Sequence, residues 1–111
     1  MQDSLKMAIS DGKETFFIQI KNIIYCKSYG GYSVINILGE KPIYLSKSLK
    51  SVCKSLPADL FFRIHNQYVV NINFVSKFTE TKDSSVILLD GTLLPVSRRK
   101  KADFMSNFRK F

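Results

Sequence analysis

The sequence predicts a mostly β fold with two short helices, on three observations. From Leu60 onward the chain is crowded with aromatic and β-branched residues, among them Phe61, Phe62, Ile64, Tyr68, Val69, Val70, Ile72 and Phe74, which suit half-buried strands better than a helix. Two turn signals, Leu38-Gly39-Glu40-Lys41 and Asp90-Gly91, stand between short apolar runs, the pattern of hairpins. Helical spacing of apolar residues occurs twice, at Leu49, Val52, Cys53 and Leu56 and at Phe104, Met105 and Phe108. At 111 residues the chain is long enough to bury one core and too short for two.

The elements follow in order. After the Asp11-Gly12 turn signal, Phe16-Phe17-Ile18-Gln19-Ile20 reads as a strand, and Ile23-Ile24-Tyr25-Cys26 as a second, short one. Tyr29-Gly30-Gly31-Tyr32 reads as a loop. Residues 33–38 alternate polar and apolar and residues 42–45 return as a hairpin partner, with Pro42 favouring an edge position. Ser46 is placed to cap the first helix, Cys53 falls on its core face, and Pro57 stops it. A hairpin joins residues 86–89 to 93–96, and Ser97 is placed to cap the last helix.

Charge narrows the function. Seventeen Lys and Arg against nine Asp and Glu give +8, and five units of that excess fall in residues 97–111. No stretch approaches the roughly 18 apolar residues of a membrane span, and residues 1–11 show no export signal. Cys26 and Cys53 have no C-x-x-C spacing and His65 is the single histidine, so neither a zinc site nor a disulfide framework is expected, and a reducing, cytoplasmic setting fits. The local signatures of catalysis are absent too: no Ser elbow, no phosphate-cradling Gly loop, no metal cluster. The expectation is a protein that is not an enzyme and uses no cofactor.

A run of cations is ordinarily a solvated face, but Arg98, Arg99, Lys100 and Lys101 fall where the first turn of the last helix is expected. The helix dipole already places positive potential there, so each cation costs roughly 0.3–1 kcal/mol unless an anion binds. Phosphate fits that requirement. Reading sequence needs more than phosphate contacts: Arg suits guanine edges, and Asn or Gln suits adenine edges. His65-Asn66-Gln67 sets two amides together, although an Asn in a loop is more often a turn former and a lone His more often a hydrogen-bonded structural residue than a ligand or base.

Two motifs join these features. With Phe61-Phe62-Arg63-Ile64-His65-Asn66-Gln67-Tyr68-Val69-Val70-Asn71 followed by Leu94-Pro95-Val96-Ser97-Arg98-Arg99, the chain resembles the LytTR-type DNA-binding domain, the output domain of many bacterial response regulators. Ile23-Ile24-Tyr25-Cys26 with Tyr32, and residues 45–56, look like that family's early strands and helix. The resemblance implies an elongated set of small antiparallel sheets with two short helices, whose loops enter successive major grooves of double-stranded DNA to regulate transcription. It implies Asn66, Arg99 and, as a third contact, Tyr32 as base readers, and His65, Gln67, Ser97, Arg98, Lys100 and Lys101 as backbone or supporting contacts. Gln67 departs from the small Ser often found there.

The same resemblance implies two direct-repeat half-sites, a second copy meeting the first on DNA, and a receiver domain in a two-component system. These 111 residues hold no acidic phosphorylation site of a receiver, so the expectation is either a domain separated from a longer regulator or a free-standing one. Residues 1–15 are then the end of a linker or an N-terminal strand, and residues 16–111 the DNA-binding domain. The competing reading is a β-rich protein-interaction module that uses Tyr29, Tyr32, Tyr68 and Phe61 as anchors and its basic end to steer acidic partners.

Overall fold

Period-two alternation and tight turns build the molecule, described by a computed structural model for residues 5–81 and 83–111. Residues 1–4 of the 1–15 segment lie outside the described residues. Strand β1 (Lys6–Ser10) pairs antiparallel with β2 (Thr15–Gln19), and Ile9 is buried. In the turn between them the amides of Lys13 and Glu14 both donate to Asp11 Oδ1 at 2.9 Å. There follow β3 (Ile23–Tyr29), β4 (Tyr32–Ile37), β5 (Ile43–Leu45), α1 (Leu49–Ser55), β6 (Phe61–His65), β7 (Tyr68–Asn71), β8 (Val75–Thr79), β9 (Ser85–Leu88), β10 (Leu93–Pro95) and α2 (Lys101–Met105). A five-stranded antiparallel sheet has the order β5-β4-β3-β7-β6, and a three-stranded one the order β10-β9-β8. The mostly β architecture of small sheets with two short helices agrees with the sequence, and the molecule is elongated, 44 × 34 × 24 Å. Strand β5, just after Pro42, is an edge.

Several local details differ from the expectation. Residues 29–32 are a tight hairpin turn rather than a loop, with Tyr29 directly opposite Tyr32 and Gly30 at φ +62°, a conformation that a side chain would strain. Ser48, not Ser46, caps α1: the Ser51 amide donates to Ser48 Oγ at 3.2 Å, because the apolar period starts at Leu49 and the cap must immediately precede it. Leu56 is extended (φ −97°, ψ 147°), as a residue before proline must be, and the helix ends there. Cys53 is only half-buried, whereas Cys26 is fully buried and its thiol is pushed up to about 12 by desolvation.

There are two apolar clusters, not one. Cys26, Ile35, Ile43 and Val69 on one face of the large sheet pack under Leu49 and Val52 of α1, together with Ile9. Ile64 and Val70 on the other face pack against Val86, Leu88, Leu94, Val96 and Phe104. Adjacent Val69 and Val70 point to opposite clusters, which is why β7 is apolar at consecutive positions. Sandwiching one sheet between two small layers lets a short chain bury both of its faces.

Asn71, fully buried, ties the end of β7 to the start of β3. Its Nδ2 donates to the Ile23 carbonyl at 2.9 Å and the Lys21 carbonyl at 3.3 Å, and its Oδ1 accepts from the Asn73 amide at 2.9 Å. These bonds extend the β3–β7 pairing past Tyr25 and Val70, where the ladder stops. Asn71→Ala leaves buried backbone groups unpaired and is expected to cost about 2–3 kcal/mol in urea unfolding. A change below about 0.5 kcal/mol would show that water satisfies those groups instead. A second expectation concerns acid. The Glu14 and Lys13 amides hold the Asp11 carboxyl below its ordinary value of 3.8, and the Thr92 amide does the same for Asp90. Their contribution is fully present above the ordinary value and is lost as pH falls through the lowered one, so the melting temperature should be insensitive to these two turns at neutral pH and decline below about pH 4. Asp11→Asn should flatten that decline.

Candidate DNA interface

The two amides flagged by the sequence occupy a two-residue turn. His65 pairs directly with Tyr68, leaving Asn66 and Gln67 as the link between β6 and β7. Neighbours satisfy the turn's backbone: Arg63 Nη2 donates to the Asn66 carbonyl at 2.6 Å, the Gln67 amide donates to His65 Nδ1 at 3.1 Å, and the Ser28 amide donates to the Gln67 carbonyl at 2.9 Å. Both amide side chains are consequently free to face outward, and both residues are exposed. Since His65 Nδ1 accepts, a neutral ring carries its proton on Nε2. A bulge between Arg63 and His65 turns the imidazole toward Tyr68, with ring centroids 5.9 Å apart.

The C-terminal segment returns to this turn. The Ser97 amide donates to the Ile64 carbonyl at 2.8 Å, adding one backbone bond beyond strand β10. Residues Arg98–Lys100 then form a 3₁₀ turn closed by the Lys100 amide on the Ser97 carbonyl at 2.9 Å. Phe104 of α2 anchors the segment: it is 1% exposed, with its ring 5.7 Å from that of Phe62 and 6.5 Å from that of Phe78. Held this way, Arg99 Nη2 donates to Asn66 Oδ1 at 3.4 Å across 33 positions of sequence. The two expected base readers therefore sit side by side on the surface.

Contrary to expectation, Arg98, Arg99 and Lys100 do not lie in the first turn of the last α-helix. That helix comprises only Lys101–Met105, and the three cations precede it in the 3₁₀ turn. Asn107 Nδ2 donates to the Phe104 carbonyl at 2.9 Å and Ser106 Oγ to the Asp103 carbonyl at 2.6 Å, bonds that end the helix early. Phe108 is 39% exposed, though its ring meets that of Phe104 at 5.3 Å. Ser97 caps nothing with its side chain; its Oγ is buried and finds no hydrogen-bond partner among the described residues.

The structure brings together His65, Asn66, Gln67, Ser97, Arg98 and Arg99, and treats the other expected residues differently. Lys101 forms an ion pair with Glu80, and its Nζ lies 5.6 Å from the centre of the Phe78 ring. With Glu80, Asp83 and Ser84 it borders a hollow that also includes His65 and Arg98, so acid stands on that side of the site. Tyr32 sits on the β3–β4 turn, 41% exposed, and meets Tyr29 rather than the Asn66–Arg99 pair. Sequence reasoning missed Arg63 and Ser28 as the groups that hold the Asn66-Gln67 turn. It also missed Lys27, whose i, i+2 relation to Tyr25 and Tyr29 in a strand already placed the three on one face. Among the described residues no group of three or more His, Cys, Asp or Glu could hold a metal, and no helix is long and apolar enough to cross a membrane.

Residues 13–109 match the family described as the LytTr DNA-binding domain. Among curated proteins the chain is similar to the sensory transduction protein LytT of Bacillus subtilis, 31% identical over 96 residues, which cover 84% of this chain and 39% of that protein. It is similar to the CO-responsive transcriptional regulator RcoM of Rhodospirillum rubrum (26% over 97 residues, 84% of this chain and 40% of RcoM). A third relative is the transcriptional regulatory protein NatR of Bacillus subtilis (24% over 105 residues, 93% and 45%). The chain thus spans about two-fifths of the length of these relatives. Its fold is that of the solved LytTr DNA-binding domain of a methyl-accepting/DNA response regulator from Bacillus cereus, with a TM-score of 0.78 at 18% identity over 92% of this chain and 94% of that one.

If Phe104 positions Arg99, Phe104→Leu should loosen the C-terminal segment before it unfolds the molecule. Hydrogen exchange of the Ser97 amide should accelerate while that of Cys26, in the other cluster, keeps its protection. Equal acceleration at both would mean that the two clusters open as one unit.

Proposed function

Because the chain belongs to the LytTR family of DNA-binding domains, we propose that it binds double-stranded DNA sequence-specifically to regulate transcription, with the Asn66-Gln67 turn and the Arg98–Lys100 turn entering the major groove side by side. The observation that carries this reading is the meeting of Asn66 with Arg99 at 3.4 Å on an exposed, cation-rich surface. Asn offers the donor and acceptor that match an adenine edge, and Arg the fork that matches guanine. Arg98 and Lys100 hold phosphates beside them. Lys101 contributes less, because Glu80 already offsets its charge. Gln67 and the Nε2 side of His65 supply further donors, Ser97 fixes the turn through its backbone, and Tyr32 is the outlying contact on the next hairpin. The protein acts in the cytoplasm as a regulator's output module, does no chemistry on its ligand, and engages two direct-repeat half-sites with a second copy meeting the first on DNA.

Selection of bound duplexes from a random pool yields the site, and binding to it tests the residues. Asn66→Ala and Arg99→Ala should each cost roughly 1–3 kcal/mol on the selected duplex and much less on random DNA. Lys100→Ala should weaken both duplexes alike and reduce the log–log salt slope by roughly one unit. Parent-like affinity of both Asn66→Ala and Arg99→Ala for the selected site would refute the assignment of the readers. A salt slope near zero would refute the electrostatic part.

A further inference from the structure

The outer face of the five-stranded sheet is covered only in part. The three-stranded sheet and α2 shield it around Ile64 and Val70, while its β3–β4–β5 end carries three exposed tyrosines. Register puts these on one face: Lys27 lies opposite Tyr68, Tyr29 opposite Tyr32, and Val34 opposite Tyr44. Tyr29 and Tyr32 stack at 5.7 Å with an interplanar angle of 17°, and Tyr32 meets Tyr44 at 6.3 Å. Lys27 Nζ lies 4.5 Å from the centre of the Tyr29 ring and 5.6 Å from that of Tyr68, which in turn abuts His65. An unbroken row of aromatic and cationic groups therefore leads from the reading turn to the far edge of the sheet.

Single exposed aromatics are ordinary on a protein surface, but a contiguous set marks a binding face. Tyr29, Tyr32 and Tyr44 are 45%, 41% and 60% exposed. The chemistry of the row is that of hydrogen-bond donors: three phenols and an ammonium that has no carboxylate partner among the described residues. The neighbouring Tyr29 and Tyr68 raise the Lys27 pKa above the ordinary lysine value. Donors beside a cation suit the anionic oxygens of a phosphodiester. Continuity selects the occupant: the Ser28 amide bonds the Gln67 carbonyl at 2.9 Å, so the strand that carries Lys27 and Tyr29 is tied to the turn that carries Asn66.

We propose that Lys27, Tyr29 and Tyr44 form an outrigger that grips the sugar–phosphate backbone of duplex DNA flanking the bases read by Asn66 and Arg99. The proposal rests on the DNA-reading function above and adds to it a contact outside the read bases. It gives the stacked tyrosines a task as a rigid support that presents hydroxyls at fixed spacing.

The test compares two duplexes carrying the selected site, one trimmed to the read bases and one extended at both ends by on the order of five base pairs, half a helical turn. The intact protein should bind the extended duplex about tenfold more tightly, the scale of one charge-assisted hydrogen bond. Lys27→Gln and Tyr44→Phe should each bring that ratio to threefold or less, and uncharged methylphosphonates in the flanks should remove it. Tyr44→Phe keeps the ring and removes only the hydroxyl, so folding is preserved. Equal affinity of the intact protein for both duplexes overturns the outrigger, as does a full tenfold gain in both variants. If the same variants instead weaken binding of a single-stranded oligonucleotide and spare the flank gain, the face stacks bases and the proposal is again overturned. Loss of site discrimination in Asn66→Ala without any flank gain leaves the reading residues standing and removes the outrigger alone; no binding to either duplex removes both.

Discussion

One backbone hydrogen bond, from the Ser97 amide to the Ile64 carbonyl, defines where the C-terminal segment meets the central sheet. Without it Arg99 and Asn66 have no reason to be neighbours, since β7, β8, β9 and β10 intervene. The bond is weak alone and is made durable by burial of Phe104 against Phe62 and Phe78, which fastens the segment about two turns further on. The site is therefore a product of the second apolar cluster. The first cluster, under α1, sets the shape of the sheet, and Asn71 keeps the strands of the sheet in register between them.

Much of this was legible in the sequence. The hairpins and strands were readable because alternation and turn residues are local signals, and Asp90-Gly91 and the apolar run around Val69 carried them plainly. What was not legible depends on contacts between distant residues. Ser46 and Ser48 look alike until the start of the helical period is fixed by which side chains are buried. The extent of the last helix is decided by Asn107 and Ser106 competing for its carbonyls, which apolar spacing does not reveal. Two clusters in place of one follow from strands with both faces covered, and a residue list does not distinguish that from a single deep core.

The site shows the same division. Asn66 and Arg99 could be singled out by chemistry and by family resemblance, but their contact is tertiary. So is the ion pair that links Lys101 to Glu80 across 21 positions and takes one cation out of a run that the sequence presents as uniform. That pair is half-exposed and adds little to stability, yet it breaks up the charge: Glu80 and Asp83 border the same hollow as His65, Arg98 and Lys101. A polyanion approaching the domain meets a surface of mixed charge, not an evenly basic end.

The central claim is that Asn66 and Arg99 act as one reading surface, and a double-mutant cycle on the selected duplex tests it most directly. Binding free energies would be measured for the parent, Asn66→Ala, Arg99→Ala and the pair, with thermal melts confirming that all four fold. Because the two side chains touch, the account predicts a coupling of at least about 0.5 kcal/mol, the double variant losing less than the sum of the singles. Losses that add to within about 0.3 kcal/mol would contradict it, showing two independent contacts where the structure places a single unit.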